Sequence, residues 1–388
     1  MNNSVCLNYV DNYNVKDLQQ ILQNCFDQLG SFERLKAYNC VMLKVCMPSS
    51  ANPDSAECTH PSVVRAVVNL LEQMGIKCVV VESPYKKYNT QNLDLAYLNS
   101  GLLEVANYTD CQLNHDLSTC EFELPDGKMT KCLCLLDMVN KVDAIINIGK
   151  IKIDTNLGYF GAMANLFGLV PGELKTFVLN RLGTQRDFGN YLLDIYSAIS
   201  KKLVLNILDG VVALENGETQ RMMSCLLVGE NIFQVDKTVL DILKIKKQST
   251  YLGLAEERGF YIGQDNNLTQ EEIKKFEIPD FALAEFDLDK KLDPSVSNQK
   301  SFFFHNQKRV VIDPKKCKGC SICSKICPTG AILMKYDKNE ELFAEVNYKK
   351  CIFCYKCLTA CPYSVTDVVT PTNYKKLEKE IAKQNQSE

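Results

Sequence analysis

The sequence contains no tryptophan, only three histidines and no long apolar run. A membrane-spanning helix needs ~20 consecutive apolar residues, and since no stretch approaches that length we predict no membrane span. The N-terminus lacks the basic and apolar segments of a signal peptide, so we expect a cytoplasmic protein. Neither G-x-G-x-x-G nor G-x-x-x-x-G-K-S/T occurs, so nucleotide binding through those loops has no support.

Basic blocks and basic stretches interleaved with aromatic residues are also missing, and the formal net charge is −3. We therefore expect no nucleic-acid partner. The histidines His60, His115 and His305 have no metal-ligand spacing. His60 directly precedes Pro61, so we predict that it begins a helix rather than acts as a ligand or a base.

Cysteine is abundant, with 19 residues in a chain of 388. A chain of this length has room for two or three domains, and its 46% hydrophobic and 23% charged residues are ordinary for a globular protein. Because no export signal is predicted, metal binding or redox chemistry is a better explanation of the cysteines than a disulfide framework.

Residues 1–261 alternate between short apolar runs and segments with helical spacing. This order predicts an α/β domain with a mostly parallel sheet and helices on both of its faces. The predicted helices cover residues 15–30 and 59–75. The predicted strands cover residues 41–47, 78–83, 144–151, 203–208 and 223–229.

The remainder of the chain has three parts. Residues 262–308 are polar and charged and read as a connector, with a short helix near 269–276 and a run of three phenylalanines, Phe302–Phe304, that we expect to pack against a domain. Residues 309–370 form a small cysteine-rich module, for which we predict a ferredoxin-like α+β fold. For residues 371–388 we predict a charged tail helix.

Eight cysteines of this module form two runs with the spacing C-x2-C-x2-C-x3-C, each followed by proline. The second run is the first one shifted by 34 residues, which indicates an internal duplication. The spacing is that of bacterial ferredoxins with two 4Fe–4S clusters, in which the fourth cysteine of each run binds the other cluster. We therefore assign one cluster to Cys317, Cys320, Cys323 and Cys361, and the second to Cys351, Cys354, Cys357 and Cys327.

Two zinc sites are the alternative to this assignment. Structural zinc sites usually divide their ligands into separated cysteine pairs, and triplets followed by Cys-Pro do not follow that plan.

Residues 144–168, AIINIGKIKIDTNLGYFGAMANLFG, resemble the signature of a prokaryotic family, domain of unknown function 362, which is often fused to such a ferredoxin module. The usual pattern is an apolar strand, then Lys-Leu-Lys-Thr-His, then Gly-Ala-Leu-Lys-Asn-Leu-Phe-Gly. The matching positions are Lys150, Lys152, Gly161, Ala162, Asn165, Leu166, Phe167 and Gly168. Further matches are Lys44, Pro61, Glu82-Ser83-Pro84, Asp209-Gly210 at a strand end, and Asp236. The resemblance covers about residues 40–245.

The sequence departs from the family pattern at several polar positions. Val45-Cys46 replaces Pro-Asn, Asp154 replaces the histidine, and Ala164 replaces a lysine. Residues 215–218 stand where a Gly-Pro turn is expected. The resemblance thus implies either a different ligand or a loss of the family's chemistry, and it does not imply a particular reaction.

Several charged residues lie at or just beyond the C-terminal ends of predicted strands: Lys44, Lys150, Lys152, Asp209 and Asp236. Ligands of open α/β sheets bind at that edge. Lys150 and Lys152 occupy alternate positions, so they and Asp154 point the same way if the strand continues, and the lysines could hold an anion. Solvated charges or a structural ion pair are the alternative for each residue. Asn165 either binds a ligand or caps a turn.

The other eleven cysteines are scattered through residues 1–261. Cys25, Cys40, Cys78 and Cys225 lie in apolar runs and are most simply core residues. A third metal site is open for Cys46, Cys58, Cys120, Cys132 and Cys134.

Three functions remain open on this sequence. The first is a ferredoxin-linked reductase that holds a small anionic substrate with Lys150 and Lys152, assisted by Lys44, while Asp154 or Asp236 moves protons. The second is a non-enzymatic electron-transfer subunit whose α/β domain docks a partner. The third is a redox sensor or cluster-delivery factor. In each case we expect a redox partner protein or a small-molecule electron acceptor.

Overall fold

The computed structural model describes residues 2–47, 52–84, 88–154, 157–217, 219–263, 266–278, 280–281, 287–292, 309–327, 330–348, 350–351 and 356–369. By its internal contacts the chain divides into two compact units. The first, here called the α/β unit, comprises residues 1–175 and 182–292, and the second, the cysteine-rich unit, comprises residues 176–181 and 293–388. The predicted Phe302–Phe304 run and the 371–388 tail lie outside the described residues.

The described residues of the α/β unit contain ten strands: β1 (Val5–Tyr9), β2 (Cys40–Val45), β3 (Lys77–Val81), β4 (Gln112–Leu113), β5 (Thr119–Glu123), β6 (Cys132–Leu136), β7 (Ala144–Asp154), β8 (Gly158–Phe160), β9 (Leu203–Glu215) and β10 (Thr219–Gly229). The helices that begin in this unit are α1 (Val15–Gln28), α2 (Ser31–Leu35), α3 (Pro61–Gln73), α4 (Thr90–Asn99), α5 (Leu102–Asn107), α6 (Met138–Lys141), α7 (Ala162–Asn165), α8 (Gly172–Arg181), α9 (Gln185–Ile199), α10 (Ile232–Ile242), α11 (Tyr251–Glu257) and α12 (Gln270–Lys274). Helix α12 confirms the short helix predicted near 269–276.

The main sheet has the order β1-β10-β9-β7-β2-β3-β4, with β8 folded back on β7. The five strands from β9 to β4 are parallel, and β10 and β1 extend the sheet through antiparallel pairings. This confirms the predicted α/β class with a mostly parallel sheet. After β2 the chain builds β3 on one side of it, and later β7 on the other side. The gap between the C-terminal ends of β2 and β7 is thus a topological switch point, where ligands of open α/β sheets bind.

Alternate residues of the central strands face opposite sides of the sheet. Val41, Leu43 and Val45 of β2 belong to one large core with buried residues of α1 and α3. Asn147 of β7 faces the other side and donates to the carbonyl of Ala162 at the start of α7. Helices therefore cover both faces, as the alternation of strands and helices predicted.

Three predicted helix boundaries have local causes that the structure bears out. Asn14 accepts hydrogen bonds from main-chain N–H groups at the start of α1, and Gly30 follows its end with a positive φ. His60 caps α3, because its ring accepts a hydrogen bond from the main-chain N–H of Ser62. Pro61, which directly follows His60, occupies the first helical position.

The prediction that Asp209-Gly210 ends a strand is wrong. Strand β9 continues to Glu215 and pairs with β10, since its apolar residues beyond Gly210 include Val211 and Val212, which favour strand. Asn216 and Gly217, which directly follow β9, both have positive φ, a conformation typical of tight hairpin connections. Asp209 therefore lies in mid-strand and is fully buried. Asp236 likewise lies in α10 rather than at a strand end.

The cysteine-rich unit repeats one β–α–β pattern. Its described elements are β11 (Arg309–Ile312), α13 (Ile322–Ile326), β12 (Ile332–Tyr336), β13 (Leu342–Val346), α14 (Lys356–Thr359) and β14 (Thr366–Val369). Strands β11 and β14 pair antiparallel, as do β12 and β13. Because the second three elements follow the first three with the offset of the cysteine runs, the duplication in the sequence is also a duplication of structure. None of the helices in the described part of the chain is long and apolar enough to cross a membrane.

Candidate functional site

The first cysteine run surrounds a cavity of the cysteine-rich unit. Cys317, Cys320 and Cys323 line it together with Cys361 of the second run. The loop between Cys317 and Cys320 turns at Gly319, whose φ is +60° and whose Cβ would lie 2.5 Å from the carbonyl oxygen of Leu342. Only glycine suits this position. The four thiols that surround one cavity are the set assigned to one cluster from the spacing.

Three cysteines of the second set lie at the small core of this unit. Cys351 is a buried member of that core, and Cys327 and Cys357 pack against it. The N–H of Ala331 donates to Cys327 Sγ at 3.2 Å, a type of hydrogen bond that thiolate ligands of iron–sulfur clusters accept. Cys354 lies outside the described residues. In both sets the donors fit iron–sulfur ligation.

The first buried charge group of the α/β unit lies at the C-terminal end of β2. Lys44 donates to Glu82 Oε2 at 2.5 Å and to Asn165 Oδ1 at 3.3 Å. Lys175 of α8 reaches the other oxygen of Glu82 at 3.1 Å and also donates to the carbonyl of Ser83. Both lysines are almost fully buried. Burial lowers the pKa of Lys175, and the neighbouring Lys44 acts in the same direction, although Glu82 opposes them.

The second charge group joins β7 to β9. Lys150 Nζ lies 2.8 Å from Asp209 Oδ2 and 2.8 Å from Tyr13 Oη, and Tyr13 donates to Asp209 Oδ1 at 3.0 Å. The main-chain N–H of His60 also donates to Asp209 Oδ2. The rings of Tyr13 and His60 stack with centroids 3.6 Å apart. The carboxylate of Asp209 is thus fully buried and accepts several hydrogen bonds.

Lys152 makes a different set of contacts from Lys150. Its Nζ lies 3.3 Å from Cys46 Sγ and 2.9 Å from the carbonyl oxygen of Glu57, and it lies over the ring of Phe160. Strand β7 continues through Asp154, as the alternate arrangement of the two lysines required. Burial and nearby Cys46 raise the pKa of Cys58 to about 12, while Lys150 and Lys152 oppose the shift.

These groups surround the switch point between β2 and β7. Four lysines, Lys44, Lys150, Lys152 and Lys175, are each at most 8% exposed. Two buried carboxylates, those of Glu82 and Asp209, pair with three of them. A small cavity between Cys46, Glu82, Asn165 and Lys175 has room for about one water molecule, roughly 10 Å³.

The other predicted site residues have structural contacts. Asp154 is partly exposed, and its Oδ1 accepts the N–H of Leu157 at 2.8 Å. Asp236 is fully buried and accepts hydrogen bonds from the hydroxyls of Tyr159 and Tyr251 and from the N–H groups of Ala162 and Met163. Asp236 therefore holds the N-terminus of α7. Their assignment to proton transfer stays a prediction.

Asn165 lies inside the network rather than capping a turn with its side chain. Its Nδ2 donates to the carbonyl of Lys44 and to Asn147 Oδ1. A Cβ at Gly168 would overlap the carboxylate of Glu82 and Lys44 Nζ. The matched Gly168 therefore allows the main chain to approach the ion pair.

Among the described residues, the scattered cysteines considered for a third metal site lie in different parts of the α/β unit. Cys120, Cys132 and Cys134 lie on the β5–β6 hairpin. Cys46, in contrast, borders the cavity at the switch point. The third metal site considered from the sequence is therefore not supported in the described part of the chain.

Sequence reasoning missed Tyr13 and Lys175 as members of the site. Tyr13 precedes α1 and Lys175 belongs to α8, and no strand-end pattern marks either of them. Glu82 was noted only as part of a motif. A buried lysine needs a carboxylate partner, and this requirement is the one signal that could have identified Glu82 as a member of the site.

The duplicated cysteine unit and the charged switch point define a class of protein: an α/β protein that carries an iron–sulfur module. Comparison with family models agrees with this class. Residues 307–365 match the 4Fe-4S dicluster domain, and residues 41–241, just over half of the chain, match the domain of unknown function DUF362. The chain belongs to the DUF362 family.

Curated relatives point the same way. A thylakoid-associated protein of Synechocystis is 28% identical over 266 residues, which cover 66% of this chain and 79% of that protein. The arsenate respiratory reductase iron-sulfur protein ArrB of Shewanella is 35% identical over 65 residues, 16% of this chain and 26% of that protein. Electron transport protein HydN of Escherichia coli is 36% identical over 55 residues, 14% of this chain and 29% of that protein. The cysteine-rich unit thus has an iron–sulfur electron-transfer role.

Proposed function

We propose that this protein is a ferredoxin-linked reductase of a small anionic substrate. Two 4Fe–4S clusters, held by the two cysteine sets, would supply electrons one at a time. Lys150 and Lys152 would hold the substrate in the α/β unit, at the switch point between β2 and β7. The cytoplasm remains the predicted compartment, and a redox partner protein the predicted source of electrons.

The observation that carries this proposal is the excess of buried positive charge. With all groups ionised, the four lysines and two carboxylates of the switch point carry a charge of +2. Moving an unbalanced charge out of water costs several kcal/mol per ion, roughly, even after relaxation. A bound anion would neutralise this excess, so the site is better matched to an anion than to a neutral or cationic ligand.

The contacts suggest a division of labour among the lysines. Lys150 is paired with Asp209, and Lys44 with Glu82, so Lys150 would hold the substrate by its charge while it keeps that partner, and Lys44 would assist. Lys152 contacts a thiol sulfur and a carbonyl oxygen, and it would be the lysine that turns to a ligand. Asp154, partly exposed at the end of β7, is the better placed proton donor of the two predicted aspartates, because Asp236 holds α7.

A second function is favoured by one observation. The cavity at the switch point has room for about one water molecule, roughly 10 Å³. A substrate larger than a small ion would require the site to open. An electron-transfer subunit whose α/β unit docks a partner requires no such opening, and it is the alternative.

The test begins with anaerobically purified protein and an iron count, expected to be about eight per chain for two cubanes. The protein is then reduced, and oxyanions and small carboxylates are screened for reoxidation of the clusters. Lys152→Met should abolish reoxidation by the active compound. Lys237→Met is the matched control, because Lys237 forms a partly exposed ion pair with Asp241 in α10.

Anion binding is measured separately, as the rise in the melting temperature of the α/β unit with added anion. The reductase proposal fails if no anion raises that temperature and no compound reoxidises the protein faster than its Lys152→Met variant. Anion binding without reoxidation would favour the second function.

A further inference from the structure

The charges of the cysteine-rich unit are segregated. Residues 309–369 contain ten Lys or Arg and six Asp or Glu, although the whole chain has a net charge of −3. Residues 314–327, which include the first cysteine run, contain four lysines and no acidic residue. Four of the six acidic residues lie in the β12–β13 hairpin and its turn, at positions 337, 340, 341 and 345. The positive charge is therefore concentrated on the cysteine loop.

Several side chains of this loop are open to solvent. Lys315, Lys318 and Lys325 are exposed. Large apolar side chains lie among them, since Ile322 is 42% exposed and Tyr363 52% exposed. We call these five residues the basic loop surface.

The basic loop surface borders the cavity of the first cysteine set. Lys318 and Tyr363 line that cavity, and Cys320, which also lines it, is exposed. A partner that covers this surface would therefore come directly against Cys320, an exposed cluster ligand. Exposed apolar side chains on a positively charged surface are typical of a transient interface, in which charge guides encounter and apolar contact completes it.

We propose that the basic loop surface docks a small acidic electron-carrier protein. The inference rests on the electron-transfer role of the proposed function and does not depend on the substrate. In each encounter the reduced carrier loses one electron and this chain gains one, with no other reactant. The partner's chemistry follows from charge complementarity, because the exposed lysines of this surface outnumber the one partly exposed carboxylate beside it, that of Asp313, and so attract carboxylates and repel a basic protein.

The test uses the full holoprotein and acidic flavodoxin reduced to its hydroquinone. Stopped-flow absorbance follows the flavodoxin semiquinone that forms as one electron is transferred. At low ionic strength Lys315→Glu/Lys325→Glu should lower the second-order rate constant at least about tenfold. The difference should disappear at about 0.5 M salt, where the charges are screened.

Lys338→Glu is the matched control. Lys338 is exposed in the turn of the β12–β13 hairpin, so the same reversal of charge occurs away from the cysteine loop. Lys338→Glu should change the rate constant of the wild-type protein by less than about twofold. Its effect is compared with that of Lys325→Glu alone, which also reverses a single charge. Equal iron and sulfide content in all variants excludes damage to the clusters.

A second readout does not depend on electron transfer. Carbodiimide crosslinking joins lysines to carboxylates in contact, and mass spectrometry of the flavodoxin complex should place the crosslinks at Lys315, Lys318 or Lys325. Crosslinks confined to the α/β unit, or equal effects of Lys325→Glu and Lys338→Glu, would overturn the inference. So would equally fast electron exchange with basic cytochrome c. Failure of the substrate screen alone would leave it standing, because no substrate is used here.

Discussion

Lys150 and Asp209 allow a direct test of whether the charges of the switch point act as buried pairs. The perturbation is a double-mutant cycle with Lys150→Met, Asp209→Asn and the double variant. Lys150 is 1% exposed and Asp209 0%, and their charged atoms are 2.8 Å apart. Removal of either partner leaves the other charge buried in the protein.

The magnitude follows from the remaining contacts. Breaking a buried ion pair costs about 3–5 kcal/mol. After Lys150→Met the carboxylate of Asp209 still accepts from the Tyr13 hydroxyl and the His60 N–H, so we expect the lower end, about 3 kcal/mol. We expect a similar loss for Asp209→Asn. The double variant removes both charges and should also lose about 3 kcal/mol, which gives a coupling energy of about 3 kcal/mol.

The assay is hydrogen exchange of the intact, anaerobic protein. Two units and iron–sulfur clusters prevent a two-state free energy from being read from an unfolding curve, so the melting temperature serves only to compare conditions, and free energies come from exchange, which is read peptide by peptide. Peptides from β7 and β9 should lose protection by more than roughly a hundredfold in each single variant, since 1.4 kcal/mol is a factor of ten. Lys237→Met should change protection there by less than about fivefold, because its ion pair is partly exposed.

The reasoning is refuted if either single variant loses less than about 1 kcal/mol. That result would mean that water or a bound ion already solvates the pair. Losses that simply add in the double variant would refute the pairing itself, whatever their size.

Three further predictions concern other parts of the molecule. Gly168→Ala should lower the stability of the α/β unit by about 2–4 kcal/mol in the same exchange assay, because the added Cβ would displace the ion pair of Lys44 and Glu82. Hydrogen-exchange protection equal to that of the wild-type protein would contradict this prediction. Burial lowers the pKa of His60, so the fold favours the neutral ring; stability should be complete above the ordinary pKa of 6.5 and be lost as the pH falls below it. His60→Asn keeps a capping side chain and should make the melting temperature less dependent on pH between pH 7.5 and 5.5. An unchanged pH dependence would exclude the His60 ring as its source. Cys361→Ser should lower the iron content from about eight towards about four per chain, while Cys120→Ser should leave it unchanged; equal iron in both variants would contradict the assigned ligand.

Local patterns predicted most of the secondary structure, and they failed where tertiary pairing decided. The helix predicted over residues 15–30 agrees closely with α1, since its ends depend on the cap Asn14 and on the positive φ of Gly30, which are local features. Strand β9 was predicted to end at Asp209, but pairing with β10 extends it to Glu215. An aspartate is usually taken to end a strand, because its charge disfavours burial. Asp209 can lie in mid-strand because Lys150, 59 residues away in the sequence, pairs with it in the fold.

The candidate site shows the same division. The resemblance named Lys150 and Lys152 within one contiguous motif, and it named Lys44 as a separate match. Which residues pair with these lysines could not be predicted in this way. Glu82, Lys175 and Tyr13 come from three other elements, and only the folded sheet brings them within hydrogen-bond distance.

By itself the sequence determined the iron–sulfur module and its duplicated cysteine runs, because four thiols that hold one cluster must follow a tight local spacing. It also determined the α/β class, because burial imposes a periodic pattern on strands and helices. Only the tertiary structure decided that the lysines of the α/β unit are buried and paired at a switch point. Burial and ion pairing depend on residues that are distant in the chain, and the order of strands in the sheet, which no local pattern encodes, brings them together.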